Sequence, residues 1–361
     1  PAFYIGKGKA QQVIDQAKLL GANVIIFDDE LSPAQVKNYH KLAKKIKVID
    51  RSSLILDIFK KHAKTREAKT QVELALCQYL LPRLTRQWTH LERQMGGVGT
   101  RAGMGETQIE VDRRLIRDKI SKLKLDLTKI ESERKTQSQN RVNEFRVALV
   151  GYTNAGKSTL FNSLTGNNVY VKNQLFATLD TTVRKLKLNK KHQVLISDTV
   201  GFIRKLPHNL VASFKSTLKE LLEANHILIV LDASSKIIDE HLETISQVLN
   251  ELGANEIPKS YIFNKIDLVE NENDIKKLKS NYRNAILTSA LHHLRLDDVK
   301  NHLIEKIESD FNVFDLNISY EQGKILSQIQ NQAEILDTDY GDKAIKLKIR
   351  GKEDSIKRLF K

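Results

Sequence analysis

A single cysteine, Cys77, in a chain of 361 residues excludes an internal disulfide and a thiolate metal cage, and it suits a reducing compartment. Cys77 falls within an apolar helical pattern and reads as a small core residue rather than a nucleophile. No apolar run approaches the roughly 18 residues that a membrane-crossing helix needs. The start, Pro1-Ala2-Phe3-Tyr4, lacks the basic-then-apolar layout of a secretory leader. The expectation is a cytoplasmic protein with no membrane association. Acidic residues are also in deficit: 59 Lys and Arg face 44 Asp and Glu, a net charge of +15. A field of that sign and size favours polyanions, because each neutralised phosphate releases a counterion.

What is present is the composition of a soluble globular chain, 40% hydrophobic and 29% charged, at a length that predicts two to four domains. Residues 10–20 carry apolar side chains at helical spacing, Gly21 stops that helix, and Asn23 to Phe27 reads as a short buried strand. Ser32 and Pro33 cap and open a second helix to about Lys45, and Ile46 to Ile49 is another strand. Residues 53–92 give a helical pattern broken at Pro82, followed by a Gly-rich stretch from Gly96 to Gly105. A second long helix starts near Glu106, with Ile109, Ile116, Ile120, Leu123, Leu127 and Ile130 forming an a/d seam. The two should pack as an antiparallel hairpin. Strands at Arg146 to Val150, Val194 to Asp198, Ile227 to Asp232 and Tyr261 to Asn264 then alternate with helices, which implies a mainly parallel sheet covered on both faces. The last 50 or so residues read strand, helix (Gly323 to Leu336), strand (Ala344 to Arg350), helix.

The strongest local signal is Gly151-Tyr152-Thr153-Asn154-Ala155-Gly156-Lys157-Ser158-Thr159, a GxxxxGK[ST] phosphate loop between a predicted strand and a predicted helix. Its glycines let backbone N–H groups turn toward phosphates, and the helix N-terminus adds partial positive charge. Lys157 is expected to reach the β and γ oxygens, with the Ser158 hydroxyl on Mg²⁺. Asn264-Lys265-Ile266-Asp267 leaves an apolar strand farther on and selects the base. The Asp267 carboxylate accepts from guanine N1–H and the exocyclic amine, a donor pair that adenine lacks. Lys265 should lie along the base, Asn264 should brace the loop, and after Thr288-Ser289-Ala290 the Ala290 amide should meet guanine O6. Asp198-Thr199-Val200-Gly201 ends a strand as a Walker-B-type acid does, so Asp198 is expected to hold Mg²⁺ through water and the Gly201 amide to touch the γ-phosphate. One threonine of Phe176-Ala177-Thr178-Leu179-Asp180-Thr181-Thr182 should complete the Mg²⁺ shell, and spacing leaves Thr178, Thr181 and Thr182 open. Phe202 stands where Ras-like GTPases place a water-orienting glutamine, which predicts slow intrinsic hydrolysis that rises when a partner orders the loop. Asn154 is a candidate ligand for K⁺.

These residues, together with Trp88-Thr-His-Leu-Glu-Arg93, Gly105-Glu106-Thr107-Gln108, Asp112-Arg113-Arg114, FATLD from Phe176 and DTVGFI from Asp198, resemble the HflX family of ribosome-associated P-loop GTPases over nearly the whole chain. Two departures are visible: Arg101 is followed by Ala102-Gly103-Met104-Gly105 without a proline, and Thr181 stands where a proline is common. The resemblance assigns Thr178 as the Mg²⁺-sensing threonine, making Lys157, Thr178 and Gly201 the catalytic set. It implies binding of GTP or GDP and of the large ribosomal subunit and its rRNA, with splitting or rescue of stalled ribosomes under stress. Arg93, Arg101, Arg113, Arg114 and Arg117 cluster around the hairpin tip and the second helix, where phosphate contacts would be salt-dependent.

The expected fold class is a multidomain α/β chain, and a monomer is expected. It comprises a small N-terminal α/β unit (1–52), a long antiparallel helical hairpin with a Gly-rich tip (53–144), a Ras-like P-loop GTPase domain with a mainly parallel sheet (145–308), and a small C-terminal α+β domain (309–361). Two other functions fit the same residues: a GTPase serving an RNA-modification or ribosome-assembly system, and a protein-only regulatory switch.

Overall fold

The computed structural model describes residues 2–43, 45–84, 108–138, 144–166, 181–204, 219–309, 311–322, 325–326, 328–329, 333–341, 344–352 and 356. It opens with α1 (Lys7–Leu19), β1 (Val24–Phe27), α2 (Pro33–Leu42) and β2 (Lys47–Asp50). Gly21, at φ +64°, turns the chain out of α1. A capping box starts α2: Ser32 Oγ accepts from the Gln35 N–H at 3.3 Å and Gln35 Oε1 accepts from the Ser32 N–H at 2.8 Å. β1 and β2 pair in parallel, and Ile14, Phe27, Tyr39 and Val48 meet in one buried cluster.

Where one helix is expected from residue 53, the structure has two, α3 (Arg51–His62) and α4 (Arg66–Leu80). The break falls before Thr65, whose hydroxyl accepts from the Ala68 N–H at 3.1 Å and caps a new helix, while Pro82 lies in a 3-10 turn, Leu81–Arg83. Asp50 is fully buried at the start of α3. It accepts from the Ser53 N–H at 2.8 Å, the Tyr79 hydroxyl at 2.8 Å and the Leu31 N–H at 3.2 Å, with Arg83 at 3.6 Å. A buried carboxylate is tolerated only when satisfied in this way, and here the bonds tie β2 to α4. α5 (Gln108–Ser138) runs antiparallel to α4, with Lys119 paired to Glu73 at 2.5 Å and Arg113 donating to the Leu84 carbonyl at 3.4 Å. Ile116 and Leu123 pack with Leu74 and Cys77, and Ile120 and Leu127 pack against them, so four of the six seam positions read from periodicity meet in one cluster, which Ile109 and Ile130 do not join. Burial pushes the Cys77 thiol pKa up, away from a reactive thiolate. The Gly-rich tip, with Arg93 and Arg101, lies outside the described residues.

A six-stranded sheet follows: β3 (Phe145–Gly151), β4 (Thr182–Lys187), β5 (Gln193–Asp198), β6 (His226–Asp232), β7 (Lys259–Asn264) and β8 (Ile286–Leu287), in the order β4-β5-β3-β6-β7-β8. Every pairing is parallel except that of the edge strand β4, which is antiparallel to β5. Its longer helices among the described residues are α6 (Lys157–Thr165), α7 (Ile238–Leu252), α8 (Glu272–Asn281) and α9 (Leu296–Ser309). Val147 to Val150 of β3 are all buried because both sheet faces are covered. Leu160 and Leu303 cover one face. On the other, Ala148, Ile229 and Leu249 form one continuous cluster with Phe59 of α3 and Val72 of α4, so the first arm of the hairpin shares a core with the sheet.

At the amino end of β6, His226 Nε2 lies 2.8 Å from Ser260 Oγ, which lies 2.7 Å from His302 Nε2. Burial, and then the His302 and Lys306 charges, hold His226 at a pKa of about 4, and burial also lowers His302. The unfolded histidine takes its proton near 6.5 and the folded one not until about 4. Stability is therefore fully present above 6.5 and declines as pH falls through this window. Between pH 7 and pH 5 the loss from His226 is about 2 kcal/mol. Urea unfolding at the two pH values should show it, and His226→Asn should remove the larger part. A variant with unchanged pH dependence would refute the assignment.

The chain ends in an antiparallel sheet of β9 (Phe311–Ser319), β10 (Glu334–Tyr340) and β11 (Ala344–Lys352), ordered β10-β11-β9. The helix expected from Gly323 to Leu336 therefore ends sooner, because residues 334–336 belong to β10. Pairing of Ile335 with Ile349 decides it, placing Ile335 against the cluster of Ile345, Leu347 and Ile349. Among the described residues no helix is long and apolar enough to cross a membrane.

Candidate functional site

The motif residues converge at the carboxyl ends of the parallel strands, where open α/β sheets bind ligands. Gly151 ends β3, Asp198 ends β5, Asp232 ends β6, Asn264 ends β7, and Thr288-Ser289-Ala290 follows β8. The loop from β3 to α6 fits only glycine at two points. A Cβ on Gly151 would lie 2.2 Å from the Val230 carbonyl oxygen, and one on Gly156, at φ +91°, would lie 2.2 Å from Asn264 Nδ2. Asn154, also left-handed at φ 63°, is exposed on the loop, while Ala155 is buried beneath it.

Asn264 joins two loops. Its Nδ2 donates to the Ala155 carbonyl at 3.0 Å, and its Oδ1 accepts from the Ala290 N–H at 2.9 Å. The Ala290 N–H, the expected contact of guanine O6, thus also has Asn264 Oδ1 as an acceptor. The Ala290 carbonyl in turn accepts from Ser163 Oγ of α6 at 2.7 Å, and Ser289 is fully buried. Lys265, left-handed at φ 63°, reaches Asp232 Oδ2 at 2.7 Å. The Ile266 N–H donates to the Thr288 carbonyl at 3.3 Å, which leaves Asp267 at the open rim, 3.6 Å from His292 Nε2. Asp232 and His292 were missed by sequence reasoning. The place of Asp232 at the end of an apolar parallel strand was the available signal, and His292 carried none.

On the phosphate side, Lys157 is buried and its Nζ donates to the carbonyls of Gly151 at 3.1 Å and Tyr152 at 3.0 Å. Burial lowers its pKa to about 8, against the opposing pull of the Asp198 carboxylate. A Cβ on Gly201 would sit 2.9 Å from Thr153 Cα and 3.0 Å from Lys157 Nζ, so the Asp198 segment lies directly on the phosphate loop. Thr153 Oγ1 is buried there, with no hydrogen-bond partner among the described residues. Thr199 Oγ1 donates to the Leu149 carbonyl at 2.6 Å, and Val200, Phe202 and Ile203 enter the apolar cluster shared with α3 and α4. The side chains of Thr199 and Val200 are thus structural anchors. Ser158 and Thr159 begin α6, where backbone N–H groups point outward to the loop. Phe176, Ala177, Thr178, Leu179 and Asp180 lie outside the described residues, and Thr182 begins β4 opposite Asp198.

A family model described as "50S ribosome-binding GTPase" matches residues 146–265, one described as "GTP-binding GTPase N-terminal" matches 1–60, and one described as "GTP-binding GTPase Middle Region" matches 62–141. The protein named GTPase HflX of Escherichia coli (strain K12) is 41% identical over 366 residues, covering 100% of this chain and 85% of its own. The chain belongs to the HflX GTPase family. The GTPase HflX of Caldanaerobacter subterraneus subsp. tengcongensis is 42% identical over 349 residues, with 96% and 80% covered. Among solved structures, a GTP-binding protein from the archaeon Sulfolobus solfataricus in complex with GDP is similar at a TM-score of 0.46 and 26% identity, over 84% of this chain and 85% of that one. As an HflX GTPase the chain binds guanine nucleotides and hydrolyses GTP.

Proposed function

We propose that this HflX GTPase is a GTP-gated factor for the large ribosomal subunit, acting on stalled ribosomes by splitting or rescuing them. The observation that carries the reading is the continuity of the apolar cluster from the Val200–Ile203 segment to α3 and α4. A loop that senses the γ-phosphate thereby bears on the helical hairpin. Arg113, Arg114 and Arg117 are exposed on α5, close in sequence to Arg93 and Arg101, and the +15 charge supports a polyanionic partner such as rRNA. The four units proposed for these roles span 1–52, 53–144, 145–308 and 309–361, in a monomer.

Within the site, Asp267 reads the guanine edge while Lys265 flanks the base. Asn264 holds the phosphate loop against the Ser289-Ala290 loop. The amides of Gly151 to Thr159 and the Lys157 ammonium receive the phosphates, and Gly201 and Thr178 meet the γ-phosphate. The hard oxygens of Ser158, Thr178 and, through water, Asp198 suit Mg²⁺. Such an ion would supply positive charge to neutralise the phosphates. Asn154 is proposed as the K⁺ ligand of the loop. Phe202 offers no hydrogen bond to a water, so hydrolysis by the chain alone is slow and rises on the ribosome.

Cosedimentation with 50S subunits tests this, with GTP turnover measured in the same samples. Binding should require GTP or a non-hydrolysable analogue, and Lys157→Ala should lose the nucleotide dependence. Charge reversal at Arg113 and Arg114 should weaken binding and flatten its salt dependence by about two contacts. Equal binding in every nucleotide state would reject the gated factor, and dimerisation driven by GTP without ribosomes would favour a role in RNA modification.

A further inference from the structure

Arg204 closes the segment that begins at Asp198, and both of its backbone polar groups are held by residues far away in sequence. Its N–H donates to the Tyr152 hydroxyl in the phosphate loop at 3.2 Å. Its carbonyl accepts from Nη2 of Arg51, the first residue of α3, at 3.0 Å. The second terminal nitrogen of Arg51 pairs with Asp28, just beyond β1. The Tyr152 ring is itself fixed, stacked on His241 of α7 with centroids 4.0 Å apart and 21° between planes. Two residues upstream, the Phe202 N–H donates to the Gly151 carbonyl at 3.0 Å and its carbonyl accepts from the Thr153 N–H at 2.8 Å. The stretch downstream of Gly201 is therefore pinned to the phosphate loop at Phe202 and clamped between that loop and the N-terminal unit at Arg204.

We infer that Arg51 is a positioning residue for GTP hydrolysis: it fixes the strand of backbone that presents the Gly201 N–H, so that this donor is in place before the γ-phosphate develops charge. A donor oriented in advance needs no reorganisation in the transition state, and one such donor is worth about a hundredfold or more in rate. Arg51 governs its placement and not its existence, so loss of Arg51 costs a fraction of that. The fork geometry of guanidinium matters, because one nitrogen anchors on Asp28 while the other reaches the Arg204 carbonyl. A lysine ammonium serves one of these at a time.

The inference rests on the reading of Gly201 as a γ-phosphate contact, and the test separates the two. In the full chain, single-turnover GTP hydrolysis is measured beside affinity for fluorescent methylanthraniloyl GDP and thermal unfolding. Arg51→Ala should lower the hydrolysis rate about tenfold, the effect of ~1.4 kcal/mol, with GDP affinity changed less than about twofold, since GDP has no γ-phosphate. Arg51→Lys should recover part of the rate. Asp28→Ala, at a carboxylate that is 78% exposed, should lose about two- to threefold, and it carries the test if Arg51→Ala does not fold. A rate for Arg51→Ala at or above wild type overturns the inference, as does an equal loss of GDP affinity and rate. If Gly201→Ala hydrolyses GTP normally, the Gly201 reading fails. If it is impaired while Arg51→Ala is not, only the clamp fails.

Discussion

Replacing Asp267 with Asn should lower affinity for GDP by about a thousandfold to ten-thousandfold and raise affinity for xanthosine diphosphate, leaving ADP unbound. The side chain leaves the Asn264–Asp267 turn with 19% of its surface exposed and His292 Nε2 beside it at 3.6 Å. Its two acceptor oxygens match the N1–H and exocyclic amine of guanine. An amide in the same place keeps one acceptor and sets an NH₂ donor against the base amine, so one good bond is lost and two donors face each other. Each mismatch costs about 1–3 kcal/mol, more where the lost bond involved a charge. Xanthine carries a carbonyl where guanine carries that amine, and the asparagine donor meets an acceptor again. Calorimetry with magnesium and the three diphosphates checks this. Retention of GDP affinity within about tenfold by Asp267→Asn, with no gain for the xanthine nucleotide, would remove Asp267 as the reader of the base.

The parts of the molecule legible from sequence are those fixed by local chemistry. Ser32-Pro33 announces α2 because capping is a matter of neighbouring residues, and the phosphate loop announces itself because only glycine accepts the backbone at Gly151 and Gly156. Tertiary contacts decide the rest. Ile335 and Leu336 continue a helical period, yet pairing of Ile335 with Ile349 makes them strand. β4 was not foreseen, because Arg184, Lys185 and Lys187 look like loop residues until the strand is seen to be an edge, where such charges are common. The break before Thr65 has no Gly or Pro to mark it, only a threonine that fits equally well inside a helix. In the site, the roles of Asn264 and Ala290 as partners of each other depend on two strands lying side by side. Periodicity carries no such information.

Gly156→Ala should weaken GDP binding by about a thousandfold while leaving the chain folded, whereas Gly166→Ala, at the other end of the same helix, should change it only a few-fold. Both glycines are left-handed, at φ +91° and +69°, so both substitutions carry a backbone strain of about 1–2 kcal/mol. Their surroundings differ. Among the described residues nothing lies within 4 Å of a Cβ at Gly166, while at Gly156 the Asn264 amide nitrogen stands 2.2 Å away. Asn264 has little room to retreat: it is 2% exposed and held by the Ala155 carbonyl on one side and the Ala290 N–H on the other. Moving it breaks both bonds, at about 1–3 kcal/mol each for buried groups left unsatisfied. Strain and lost bonds together reach about 4–5 kcal/mol, and every 1.4 kcal/mol is tenfold in affinity. The loss appears as weakened binding if the loop leaves its phosphate-receiving shape, and as a lower unfolding midpoint if it keeps it. Measuring GDP affinity and thermal unfolding for both variants distinguishes these outcomes. Equal behaviour of the two variants in both measurements would mean that the contact between the phosphate loop and Asn264 does not shape the site.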